Sequence, residues 1–289
     1  MGSKRDSPVN VLSRWLKKRS MKVKIFLGIL LAFCALVVLK FTIRDPDYFF
    51  KASKTIHVVG VIVLIYKLIV HKSCSGNAYI LCYKLKNLSI FLGLSLKTQE
   101  LTAVFITTRL GCSVFIQSNT HAMLDLILLL PTLFIIWLIR FKLKSSYIKE
   151  FDNMWLSFLV VPSIILAIAI HPRFTAHIWL ARVVWSFTTY LETVSILPQF
   201  RYMKNSKMVE TFTGYYVFAL GVSRFFSLAF WIIHTYETKG EYLFFFRHGY
   251  FWMLSIFLSE IVHSFILANF CYHYIKSFMQ GRLLKKMPI

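Results

Sequence analysis

Apolar residues run along this chain in eight long stretches, separated by polar segments rich in lysine and arginine. The first stretch occupies 25–42 and follows a basic segment, 1–24, in which Asp6 is the one acid. Seven more lie at about 52–70, 98–116, 122–139, 155–171, 176–199, 213–234 and 249–274. Each approaches the roughly 17–25 residues that a helix needs to cross hydrocarbon. The apolar positions are continuous rather than alternating, which predicts helices and excludes the strands of a membrane barrel. No small-residue cleavage site follows 25–42, so that segment reads as a retained signal anchor, its basic end in the cytosol.

Composition agrees. Hydrophobic residues make up 57% of the 289 and charged residues 16%, against about 45–50% and about 25% in soluble domains. The excess extends over the whole chain, so most of these side chains have the lipid bilayer as their solvent. A net charge of +22 raises nucleic acid as a partner. The basic residues, however, sit in the gaps between apolar stretches, the distribution of topology signals, and nucleic acid is not expected.

Loop charges then fix an orientation. Lys67, Lys72, Lys84, Lys86 and Lys97 fall in one loop, Arg140, Lys142, Lys144 and Lys149 in another, and Arg201, Lys204 and Lys207 in a third. The alternate loops are nearly balanced, Arg44, Lys51 and Lys54 against Asp45 and Asp47, Lys239 and Arg247 against Glu237 and Glu241. This parity predicts eight spans with both termini cytosolic. The apolar, lysine-dotted segment 77–92 is too short to span and reads as an interfacial helix or an insertion in a cytosolic loop.

Three sequences have a familiar form: Gly-Leu-Ser-Leu-Lys-Thr-Gln-Glu-Leu at 93–101, Tyr-Leu-Glu-Thr-Val-Ser-Ile-Leu-Pro-Gln at 190–199, and Tyr-Tyr-Val-Phe-Ala-Leu-Gly-Val-Ser-Arg at 215–224. With Phe-Ile-Leu-Ala-Asn-Phe at 265–270, they resemble the KDEL receptors, the ER lumen protein-retaining receptors. The segment 25–42 is similar to the extension of plant-type, receptor-like members. The resemblance implies an all-α membrane protein: a seven-helix body over 50–276, with an extra N-terminal transmembrane helix before it and a cytosolic tail at 277–289. That body would be two three-helix bundles joined by a linking helix, as in SWEET and other PQ-loop transporters, with Pro162 and Pro198 as paired prolines of a repeat.

Charges inside spans need a partner or a watery cavity. Arg109 and Arg224 fall near the middle of their spans and stay protonated. Spacing leaves two readings open: a bidentate clamp for a ligand carboxylate, or structural ion pairs with Glu192 or Glu260. The resemblance implies that Arg109 and Arg224 bind the C-terminal end of a retrieval signal, that Trp231 packs on it, and that His57 senses pH. His234 stands where the family has a further arginine. Other lining positions depart as well: Phe50 for an arginine, Cys112 for an aspartate, Arg182 for a glutamate.

Lys285 and Lys286 lie close to a dilysine pattern that the COPI coat reads, or serve as positive-inside residues. Asn269 replaces an aspartate that supports retrograde transport in the family. The five cysteines show no metal spacing. No nucleophile–base pair or phosphate loop is present, so neither an enzyme nor a cofactor is expected. The expected function is a sorting receptor of endoplasmic reticulum and Golgi membranes that binds KDEL- or HDEL-like C-termini of luminal proteins. The alternatives are a small-solute transporter on the same bundle and a receptor-like protein with a diverged ligand.

Overall fold

A computed structural model describes residues 47–73, 93–116, 119–144, 147–172, 178–206, 211–237 and 251–279. The segments 1–24 and 25–42, the insertion 77–92, and Lys285 and Lys286 lie outside the described residues. The described elements are helical: α1 (Asp47–Ser73), α2 (Leu96–Ile116), α3 (Asn119–Trp137) running on into a π-helical turn (Leu138–Lys142), α4 (Ser157–Ala169), α5 (Trp179–Val194), α6 (Leu197–Ser206), α7 (Thr211–Glu237) and α8 (Trp252–Met279).

Every apolar stretch predicted beyond residue 50 coincides with a helix, and four of these helices have the length and composition to cross a membrane. The stretch 176–199 is the one that splits, into α5 and α6. Its break has a local cause. Pro198 lacks the amide hydrogen that would reach back to the Val194 carbonyl, and at the same end of α5 the Ser195 hydroxyl donates to the Glu192 carbonyl at 2.8 Å. Pro162 sits inside α4, and Pro198 is at the start of α6. A further proline, Pro131, lies inside α3.

The packing closes a ring of six helices. α1 lies most extensively against α7, α7 against α8, α8 against α5, α5 against α2, α2 against α3, and α3 against α1, while α4 rests on α5. Small residues allow helices to approach closely. A Cβ added at Gly60 of α1 would stand 2.8 Å from the Ala219 Cβ of α7, the kind of backbone proximity that lets helices associate in lipid without an aqueous hydrophobic drive. Large apolar side chains such as Phe158, Ile165 and Phe265 face outward, as a lipid solvent requires.

One end of the bundle is tied by a polar lock. Gln199 of α6 is wholly buried; its Oε1 accepts from the Ser95 amide at 2.8 Å and its Nε2 donates to the Gly93 carbonyl at 2.7 Å. Ser95 caps α2 by accepting the Thr98 amide at 3.2 Å. Asp152 sits at the same helix start, accepting from the Ser95 hydroxyl at 2.9 Å and from the Lys97 amide at 3.1 Å, where a negative charge suits the helix dipole. Tyr147 donates to the same carboxylate at 2.6 Å. Burial and the neighbouring Asp152 push the Tyr147 phenol well up. The residues of 93–101 and 190–199 therefore meet, and much of their distinctive sequence is this lock.

Candidate functional site

Six helices each contribute one acid, lysine or arginine to a buried charge cluster. They are Lys54 (α1), Arg109 (α2), Asp125 (α3), Glu192 (α5), Arg224 (α7) and Glu260 (α8), and none of these side chains is more than 15% exposed. Arg109 sends Nε to Asp125 Oδ2 at 2.7 Å and Nη2 to Asp125 Oδ1 at 2.8 Å, a two-pronged contact. Its Nη1 reaches Glu192 Oε2 at 2.6 Å. The other Glu192 oxygen accepts from Arg224 Nη2, and Arg224 Nη1 lies 3.8 Å from Glu260 Oε1. Lys54 Nζ closes the set at 3.3 Å from Asp125 Oδ1.

Three bases and three acids sum to zero charge with all six ionised. That balance is what the surroundings demand. An ion taken out of water costs several kcal/mol even after relaxation, and only close, opposite partners offset it. Arg109 and Arg224 are therefore not a vacant pair waiting for an anion: Glu192 lies between them and Asp125 fills the fork of Arg109. Of the two readings open from spacing, the ion-paired arrangement is the one observed, with both Glu192 and Glu260 taking part.

Sequence reasoning missed two members. Lys54 reads as a loop charge, yet it lies buried in α1, 8% exposed, with its ammonium 5.5 Å from the Phe50 ring centre. Asp125 vanishes into the apolar average of its stretch. An acid surrounded by Met123, Leu124, Leu126 and Ile127 was the available signal, since intramembrane acids require a partner.

His57 lies three residues beyond Lys54 on α1, buried, and its Nε2 lacks a hydrogen-bond partner among the described residues. It sits between two contacts of α1 with α7, the Ser53–Ser223 hydroxyl bond at 3.2 Å and the Gly60–Ala219 approach. Trp231 and His234 belong to an aromatic layer nearer the Asp47 end of α1. Phe50 meets Phe230 at 5.7 Å, His234 stacks on Phe230 at 5.7 Å, and Trp231 stands edge-on to both Phe230 and His234. Cys112 lies three residues beyond Arg109 on α2, Arg182 is in the first turn of α5, and Asn269 is exposed on α8. Among the described residues no cluster of histidine, cysteine, aspartate or glutamate is arranged to hold a metal.

Chemically, this is a buried, balanced, multi-helix ion cluster in which two guanidiniums already share one carboxylate. It can exchange one carboxylate for another, or accept an additional one if a proton accompanies it.

Comparison with known proteins adds the family. The family model for the ER lumen protein retaining receptor matches residues 91–234. An ER lumen protein-retaining receptor of Petunia hybrida is 30% identical over 242 residues, covering 83% of this chain and 98% of the relative. ER lumen protein-retaining receptor B of Arabidopsis thaliana is 29% identical over the same shares. An ER lumen protein-retaining receptor of Entamoeba histolytica is 26% identical, covering 80% of this chain and 94% of that one.

Proposed function

The chain belongs to the ER lumen protein-retaining receptor family, and on that premise we propose that it binds C-termini of luminal proteins in the Golgi and returns them to the endoplasmic reticulum by retrograde vesicle transport. Its ligands are chain ends of the KDEL or HDEL type, and the end of the bundle carrying the start of α1 faces the lumen. Both termini are then cytosolic, where Lys285 and Lys286 are available to the COPI coat.

The observation that carries this reading is the Arg109–Glu192–Arg224 bridge. Two guanidiniums from α2 and α7 converge on a single buried carboxylate, which is the recognition chemistry a peptide's terminal carboxylate requires. Charge balance adds a pH dependence. One more carboxylate takes the cluster from zero to minus one, a state that burial penalises unless a proton is taken up. His57 and Glu260 each have a buried polar atom without a hydrogen-bond partner among the described residues, Nε2 and Oε2, and they are the groups to receive it. Acid then favours binding and neutral pH favours release, matching capture in an acidic Golgi and delivery in the endoplasmic reticulum. The aromatic layer of Phe50, Phe230, Trp231 and His234 borders the path of the preceding side chains.

A second reading has its own observation. Because every arginine of the cluster already has an acid partner, a receptor-like protein with a diverged ligand would look the same at rest. Binding of C-terminal tetrapeptides at pH about 5.5 and about 7.2, either side of an unshifted histidine, separates the two. Binding that is stronger in acid and abolished by a C-terminal amide supports retention; no carboxylate-dependent binding at either pH supports divergence.

A further inference from the structure

Resting on the reading that Arg109 receives a ligand's terminal carboxylate, we infer that Asp125 is a built-in competitor for that ligand, and that Lys54 retains Asp125 when the ligand displaces it. The fork of Arg109 carries the argument. Its Nε and Nη2 groups point in parallel at the two oxygens of Asp125, at 2.7 and 2.8 Å, the planar edge that matches a carboxylate with both bonds at once. A peptide carboxylate seeking the same edge has to remove Asp125. The remaining Nη1 is committed to Glu192.

Displacement does not strand Asp125. Its Oδ1 already accepts from Lys54 Nζ at 3.3 Å, a longer contact than either bond to Arg109, so a modest approach turns Lys54 from secondary to principal partner. The charged and titratable groups around this exchange are Lys54 and His57 of α1, Arg109 of α2, Glu192 of α5, Arg224 of α7, and Glu260 and His263 of α8. The tether sets the threshold of the site: a ligand must outcompete a carboxylate that is always present at high local concentration.

Removing the competitor has a consequence that mere structural damage does not. In Asp125→Asn the cluster changes from three bases and three acids to three and two. A ligand carboxylate then restores neutrality instead of upsetting it, and no proton is needed. The experiment uses the full chain in detergent and the tetrapeptide Lys-Asp-Glu-Leu, with a free and with an amidated C-terminus. Asp125→Asn binds the free acid about tenfold tighter or more than wild type at pH about 7.2, and its affinity no longer rises toward pH about 5.5. A second variant, Lys54→Met with Asp125→Asn, keeps two bases against two acids and decides the matter should the single variant not fold. It binds tighter than wild type and retains the preference for acid. If wild type binds the free acid while neither variant gains affinity, this inference is overturned and the receptor reading stands. If no form, wild type included, distinguishes acid from amide, the receptor reading falls and this inference with it.

Discussion

Arg109 and Arg224 are held together by the charge between them: each donates to one oxygen of the same Glu192 carboxylate, although they come from two different helices, α2 and α7. Two guanidiniums at that separation would repel in a dry interior. Glu192 on α5 makes their proximity favourable and joins three helices by one side chain. The break of the helix just beyond it, at Ser195 and Pro198, leaves α5 ending at Val194, close beyond Glu192.

Glu192→Gln keeps the shape and removes the shared charge. The cluster is left with three bases and two acids, and both arginines lose their common anion. Loss of one partner from a buried ionic group costs about 3–5 kcal/mol. Thermal unfolding in detergent is expected to show a fall of that order; a change within about 0.5 kcal/mol, typical of an exposed site, would mean that the bridge does not hold the helices.

The polar lock just beyond that break makes a separate prediction. Asp152→Ala removes the acceptor for Ser95, Lys97 and Tyr147 together, with each charge-assisted bond worth about 1.5–3 kcal/mol. The variant loses stability and its Lys97 amide exchanges faster with deuterated water. Asp152→Asn, which keeps one acceptor oxygen, falls between the two. Equal stability of all three would contradict the lock.

Gly60→Val tests the close approach of α1 to α7. The added Cβ alone meets Ala219 at 2.8 Å, so the helices must separate or shift, at a cost of about 1–3 kcal/mol for overpacking. Gly60→Val combined with Ala219→Gly recovers part of the loss, measured by the same unfolding curves. Failure of the pair to recover any stability would show that the contact is not the cause.

The helices were legible because lipid imposes a crude rule: a long continuous apolar run, read from neighbouring residues only. The buried position of Lys54 and the lock around Gln199 were not, since each depends on a partner far along the chain. Lys54 meets Asp125 across 71 positions, and Ser95 meets Gln199 across 104. Arg109, Arg224, Glu192 and Glu260 stood out as charges in apolar surroundings, so membership of the cluster was half visible. Its neutrality was hidden, because that rests on Asp125 and Lys54. Residues 93–101 and 190–199 were read as family marks; in the structure Gln199, Ser95 and the Gly93 carbonyl turn them into a helix-end lock.

The most direct test of the balanced cluster is the number of protons taken up as a free-acid tetrapeptide binds, obtained by calorimetry in buffers of different ionisation enthalpy near pH 6.5. A neutral cluster that gains one carboxylate takes up about one proton per peptide, and binding weakens as pH rises. Tight, carboxylate-dependent binding with no proton uptake and no pH dependence would contradict the account.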